Sequence, residues 1–258
     1  MIKVEHLTKR FNDFVAVKDI SFSAQPGEIV AFLGPNGAGK TTTIKMLTTI
    51  LTPSSGHILI NGLNPVVQQD KVRQSFGIVF QDASLDDELT ARENMSIHAV
   101  LYHIPQIERK KKIKDLLEFV ELWDKKDKLV KTFSGGMKRR LEIAKGLLHH
   151  PKVLFLDEPT QGLDPQTRNH IWQYIKNMNQ KEKMTVFFTT HYIEEAEKMA
   201  DRVIVIDHGQ IIDQGTPTEL IKKTGKNNLE DAFIALTGNQ IREEEASSLD
   251  RMRQRRRH

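Results

Sequence analysis

The 258-residue chain contains no cysteine, which excludes a disulfide framework and any thiolate metal site and fits a reducing compartment. It also lacks a long apolar run. The runs at 29–33, 153–156 and 203–206 fall far short of the ~18–20 residues that a membrane span needs. The opening Met1-Ile2-Lys3-Val4-Glu5 has no apolar stretch of the signal-peptide kind. The expectation is a cytoplasmic chain that reaches a membrane only through a partner. Charge of one sign is scarce as well: the net charge is +4, and much of it sits in the tail as Arg251, Arg253, Arg255, Arg256 and Arg257, behind Glu243-Glu244-Glu245. That tail reads as a solvated terminus rather than as a patch for nucleic acid or anionic lipid. What is present, 28% charged and 38% apolar residues, describes a soluble globular protein of one or two domains with room for a full core.

The most informative stretch is Gly34-Pro35-Asn36-Gly37-Ala38-Gly39-Lys40-Thr41, which fits the Gly-x-x-x-x-Gly-Lys-[Ser/Thr] phosphate-binding pattern. It follows the apolar run Ile29 to Leu33 and precedes a helical segment from Thr42 to Thr49, the strand–loop–helix setting the pattern requires. Polyphosphate oxygens must approach bare backbone closely. Glycines at 34, 37 and 39 leave room for successive N–H groups and a helix N-terminus to face an anion. Lys40 supplies a point charge for the β- and γ-phosphates, and Thr41 a hydroxyl for Mg²⁺. The stretch is therefore a nucleotide site.

The rest of the chain supplies polar groups at the ends of apolar runs. Residues 2–8 and 16–24 alternate in polarity and predict a strand hairpin. Between them stands Phe11, either a ring for stacking on a nucleobase or a core phenylalanine. A short strand is expected over 56–62, and an apolar strand over 75–80 ends on Gln81, either an ordinary loop residue or a ligand contact at the carboxyl end of a parallel strand. From Leu85 to Lys131 the pattern turns helical, with Thr90 as N-cap of a capping box to Glu93. The charge run Arg109 to Lys114 reads as a solvated face. Ser134-Gly135-Gly136-Met137 leads into a helix over 138–149, a second anion cue at a helix start, and His149-His150 are placed to complement that helix's dipole. Val153 to Leu156 runs into Asp157-Glu158. A carboxylate ending a buried strand needs a positive partner, and Mg²⁺ bound to phosphates at Thr41 suits Asp157, leaving Glu158 to polarise a water in line with the γ-phosphate. Asp164-Pro165 opens a further helix, and His191 follows the strand over 184–189.

Together these motifs resemble the ATPase subunit of ATP-binding-cassette (ABC) transporters, over residues 1 to about 240. The correspondence runs in order: nucleotide loop 34–41, Gln81 as Q-loop, Ser134-Gly135-Gly136 as signature, Asp157-Glu158, Gly162-Leu163-Asp164 as D-loop and His191 as switch histidine. The resemblance implies an α/β fold with a P-loop NTPase (RecA-like) core, an antiparallel β subdomain and an all-helical insertion. Its divisions would be a core of 1–84 and 131–215, a helical subdomain 85–130, a C-terminal helical extension 216–240, and a charged tail 241–258. It further implies that Phe11 stacks on adenine, that residues 34–42 (through Thr42) bind ATP, and that Thr41, Gln81 and Asp157 serve the metal. Glu158, His191 and Gln81 would be catalytic, and Ser134, Gly135, Gly136 and Met137 would contact ATP held by a second copy of the chain in an ATP-sandwich homodimer. The signature departs from the usual Leu-Ser-Gly-Gly-Gln at Phe133 and Met137.

Softer motifs, Leu85-Asp86 with Leu89-Thr90 and Arg92-Glu93-Asn94, and Leu229 to Phe233 with Leu236-Thr237-Gly238, look like the ABC-2 type drug- and antibiotic-resistance exporters. The implied partners are a separate transmembrane permease and a second copy, with no nucleic acid. The implied location is the inner face of the cell membrane. A soluble family member acting on ribosome or nucleic acid and an ATP-gated scaffold without turnover are the competing readings.

Overall fold

The computed structural model of the chain describes residues 2–82 and 84–238; the arginine tail lies outside them. The first strands, Ile2–Phe11 (β1) and Phe14–Ala24 (β2), pair antiparallel around a turn in which Asn12 takes φ 48. The third strand, Ile29–Leu33 (β3), is buried at every position, and the helix Lys40–Leu47 (α1) follows the nucleotide loop. Ser55–Ile60 (β4) returns to pair with β1, making a three-stranded sheet of order β2-β1-β4.

The helix Gln69–Ser75 (α2) is not foreseen from the sequence: of its residues only Val72 is buried, so no apolar period marks it. Then come Phe76–Val79 (β5), Ala91–Leu101 (α3) and Gln106–Phe119 (α4). Thr90 caps α3 in the expected capping box with Glu93, and Lys112 and Lys114 pair with Glu108 and Glu118 along the solvated side of α4. Gly135–Leu147 (α5) starts three residues earlier than the apolar period suggests, because Ser134 is its N-cap.

Val153–Asp157 (β6), Pro165–Glu182 (α6), Thr185–Thr190 (β7), Ile193–Met199 (α7), Arg202–Asp207 (β8) and Gln210–Gly215 (β9) follow, then the helices Pro217–Thr224 (α8) and Leu229–Thr237 (α9). The main sheet has the order β5-β6-β7-β3-β8-β9. Every neighbouring pair is parallel except β8 with β9. Strands buried on both faces need cover on both sides. One face carries the helices, with Trp172, Leu154 and Phe188 in that core. The other meets α1 and the small sheet, where Phe22, Phe32 and Phe187 pack with ring centroids 5.5–5.6 Å apart.

His149 corrects an expectation. It lies beyond α5, stacks on Tyr102 at 3.8 Å and places Nε2 2.9 Å from the Phe76 carbonyl. Burial pushes its pKa down to about 4. A ring neutral at pH 7 cannot complement a helix dipole.

Candidate functional site

The parallel register brings the carboxyl ends of β3, β6 and β7 side by side, with Leu33 opposite Thr190 and Asp157 opposite Thr189. At the end of β3 the chain passes so close to β8 that a Cβ on Gly34 would lie 2.2 Å from the Ile206 carbonyl oxygen. Here glycine is required for closeness; at Gly39, φ +103, it is required for the backbone angle itself. Nothing lies within 4 Å of where a Cβ on Gly37 would stand, so the loop presents open backbone. Pro35 and Ala38 are buried and Asn36 is exposed. Gly39 caps α1 without a side-chain acceptor, and Thr42 is half-buried in that helix's first turn. Its leading N–H groups are left for an anion.

Lys40, 5% exposed, reaches back so that Nζ donates to the carbonyls of Gly34 (2.9 Å) and Pro35 (3.1 Å) and lies 3.3 Å from Glu158 Oε1. Burial pushes the ammonium's pKa below the usual lysine value, against the pull of Glu158. Asp157, 1% exposed, accepts on Oδ1 from Thr189 Oγ1 at 2.5 Å and from Thr41 Oγ1 at 3.3 Å. Burial raises its carboxyl above the ordinary aspartate value despite those bonds. Glu158 takes φ 48. Its Oε2 lies 3.0 Å from His191 Nδ1, close in distance but poorly aligned for a hydrogen bond. Burial pushes this carboxyl up, but His191 and Lys40 outweigh it, and it ends below the ordinary glutamate value.

Lys40, Thr41, Asp157, Glu158 and His191 thus form one group. Gln81 is not part of it. Exposed, two residues past β5, it donates through Nε2 to Gln161 Oε1 at 2.6 Å. Phe11 ends β1 opposite Phe14, is 43% exposed and has Lys9 Nζ 5.0 Å from its ring centre. Such exposure removes the core alternative. Ser134 and Gly135 are exposed, and Ser134 Oγ accepts from Met137 N at 3.3 Å. A Cβ on Gly136 would come 2.7 Å from Thr167 Cγ2. Asp164 caps α6, accepting from Thr167 N at 3.0 Å and from Thr167 Oγ1 at 2.7 Å.

The fit to a Mg²⁺–polyphosphate pair can be judged on the donors. A hydroxyl and a desolvated carboxylate 3.3 Å apart offer hard oxygens, as Mg²⁺ prefers. Among the described residues no three His, Cys, Asp or Glu side chains converge on a metal-sized space. A cation here would complete its shell with phosphate and water, the usual arrangement for Mg²⁺.

Sequence reasoning missed Arg139, buried on α5, which donates through Nη2 to the Glu158 carbonyl at 2.9 Å. A signal was present: Arg139 and Glu142 stand at helical spacing with the buried Ile143 and Gly146, so both point inward with the apolar stripe. Glu195 was missed as well. It is buried, accepts from Thr160 and from Thr190 Oγ1 (3.1 Å), and ties the segment after Glu158 to the one bearing His191.

Comparison with known proteins gives a concordant result. Residues 17–161 match the family model described as ABC transporter. The linearmycin resistance ATP-binding protein LnrL of Bacillus subtilis (strain 168) is 42% identical over 243 residues, covering 94% of this chain and 76% of that protein. Among solved structures, cbiO1 from Clostridium perfringens, part of the ABC transporter complex cbiONQ, superposes with a TM-score of 0.79 at 36% identity, over 86% of this chain and 90% of that one. The ATP-binding cassette MJ0796, solved as a dimer in a post-hydrolysis state with ADP and Pi, superposes with a TM-score of 0.76 at 28% identity, over 84% and 98% of the two chains.

Proposed function

The chain belongs to the ABC transporter family as an ATP-binding, ATP-hydrolysing subunit, and on that premise we propose that it powers an exporter through a separate transmembrane permease. The carrying observation is the convergence of Lys40, Thr41, Asp157, Glu158 and His191 at the carboxyl ends of β3, β6 and β7. In this reading the loop Gly34 to Thr42 holds the β- and γ-phosphates through Lys40 and the N–H groups beyond Pro35, which itself has none, and Phe11 stacks on adenine. Thr41 and Asp157 would hold Mg²⁺, joined by Gln81 once it leaves its bond to Gln161, and the ion when bound neutralises developing charge on the phosphates. Glu158 orients the attacking water and takes its proton, and His191 fixes the carboxylate and the γ-phosphate.

The signature residues, Ser134 and Gly135 exposed and Gly136 and Met137 half-buried, with Asp164 beside them, serve the ATP of a second copy. Each subunit then gives its nucleotide loop to one site and its signature to the other, as two-fold symmetry requires. ATP closes this pair and hydrolysis reopens it. The antibiotic-resistance relative and the chain's exporter-like motifs support export of drugs, antibiotics, lipids or similar compounds. No helix among the described residues is long and apolar enough to cross a membrane; in this reading the permease supplies the spanning path. Ile97, Val100 and Leu101 on one side of α3 and Ile107 at the start of α4 are exposed, an apolar face that suits a permease loop. The core 1–84 and 131–215, the helical subdomain 85–130 and the extension 216–240 are then the moving parts. The chain works at the inner face of the membrane.

The test is a pull-down of the tagged chain from detergent-solubilised membranes of its own cell, with bound proteins identified by mass spectrometry. A stoichiometric polytopic protein is expected. Recovery of ribosomal proteins or nucleic acid with no membrane protein would overturn the reading in favour of a soluble ATPase.

A further inference from the structure

We infer that Arg139 and Glu142 are positioning residues that lock the catalytic carboxylate to the signature helix, so that the part of the chain serving the second copy's ATP also sets the water-activating group of its own site. The inference builds on the reading of Glu158 as the group that acts on water. Both side chains sit on α5, one turn and two turns beyond the signature, and are 7% and 2% exposed. They pair at 3.2 Å. Burying two charges is costly, and an apolar pair of similar volume would serve stability as well or better. The remaining contacts explain why charge is present.

Arg139 splits its guanidinium between two carbonyls: Nη1 donates to Phe80 and Nη2 to Glu158, the latter at 2.9 Å. Glu142 Oε1 accepts from Ser84 N at 2.6 Å and from Ser84 Oγ at 3.2 Å. Phe80 and Ser84 flank the segment that carries Gln81, so α5 clasps it at both ends. The Glu158 N–H is held independently by Thr189. With its carbonyl on Arg139, both peptide groups of Glu158 are fixed, and the carboxylate is delivered to Lys40 and His191 from an immobile backbone. The planar fork reaches these acceptors from two separate nitrogens, Nη1 for Phe80 and Glu142 and Nη2 for Glu158; an ammonium would have to gather all three around a single nitrogen.

Arg139→Met alone leaves Glu142 buried without its partner, so the experiment includes the double variant Arg139→Met/Glu142→Gln, which removes both charges and keeps an acceptor for Ser84. Turnover is measured on the full-length chain per ATP-binding site, together with KM for ATP and thermal unfolding, beside Glu158→Gln. Misplacing a catalytic group by about 1 Å costs on the order of 10²-fold. The double variant strands the Phe80 and Glu158 carbonyls, so it should unfold somewhat below the wild-type temperature yet stay folded at the assay temperature, keep KM for ATP within about 3-fold, and lose about 10- to 100-fold in kcat. Arg139→Lys should keep its fold and show the same split between kcat and KM. A double variant with wild-type kcat, next to an inactive Glu158→Gln, would overturn the link and leave the pair a packing feature. A Glu158→Gln chain that still turns over would overturn the link together with the role of Glu158.

Discussion

Glu158→Gln is the sharpest perturbation of the site because the amide keeps the side chain's size and removes its charge. The carboxylate stands 3.3 Å from Lys40 Nζ and 3.0 Å from His191 Nδ1, and two consequences separate. No amide can take a proton from water, and loss of a positioned general base costs about 10²–10⁴-fold in rate, or about 2.7–5.4 kcal/mol of barrier. Lys40, meanwhile, stays buried with the Gly34 and Pro35 carbonyls as partners. An under-satisfied buried charge of this kind destabilises the nucleotide-free chain by on the order of 1–3 kcal/mol. Bound triphosphate takes over the pairing and meets no competing carboxylate. ATP affinity is therefore kept or raised while turnover collapses. Phosphate release at saturating Mg-ATP gives kcat, equilibrium titration gives affinity, and unfolding with and without ATP reads the Lys40 term. A kcat within a few-fold of wild type would show that the proton leaves by another route. An equal loss of affinity and turnover would show that Glu158 holds nucleotide instead of water.

Asp157→Asn should raise the unfolding temperature of the chain without Mg-ATP at neutral pH while abolishing Mg²⁺-dependent hydrolysis, since burial holds the wild-type carboxyl above its ordinary value of 3.8. A folded pKa above the unfolded one means a penalty present in full at high pH and relieved on acidification, so the gain should shrink as pH falls towards 3.8; a gain that grows with acid would refute the assignment. Gly136→Ala must push against Thr167, whose hydroxyl is held by Asp164; hydrolysis should fall at least about 10-fold with ATP binding to the single subunit unchanged, as titration would show. Replacing Ile97, Val100, Leu101 and Ile107 by serine, all exposed, should leave the isolated subunit's hydrolysis within about 2-fold and remove the membrane protein from the pull-down.

Legibility in the sequence followed physical locality. The strands at 29–33 and 153–157 and the capped helix after Thr90 could be read because each is specified by a short run: buried apolar residues ending in turn chemistry, or a capping box. The nucleotide loop was legible for the same reason, since its phosphate-facing groups are consecutive. Gln81 marks where locality fails. Its position after a parallel strand is evident from the sequence, but its hydrogen bond to Gln161 depends on two loops 80 residues apart. His149 fails in a related way: a helix-end histidine is ordinarily solvated, and only the packing of α3 against α5 buries this one beneath Tyr102. α2 left no trace because six polar residues around a single buried valine carry no period.

Asp157 and Glu158 show how one backbone angle divides chemistry between neighbours. Successive residues of a strand point to opposite faces, so a continued β6 would send the second carboxylate away from the loop that the first one meets. Instead, Asp157 closes the strand opposite Thr189, and Glu158 turns to φ 48. Both carboxylates then address the start of α1, one through Thr41 and the other through Lys40. The left-handed conformation costs a non-glycine residue on the order of 1–3 kcal/mol, and here it is held by hydrogen bonds on both peptide groups, the N–H donating to Thr189 and the carbonyl accepting from Arg139. The environments then push the two groups apart: burial dominates at Asp157 and raises it, while Lys40 and His191 dominate at Glu158 and lower it. In the proposed function Asp157 would then meet the cation and Glu158 the attacking water. A substitution that lets Glu158 relax into strand geometry would undo that division without touching either carboxylate.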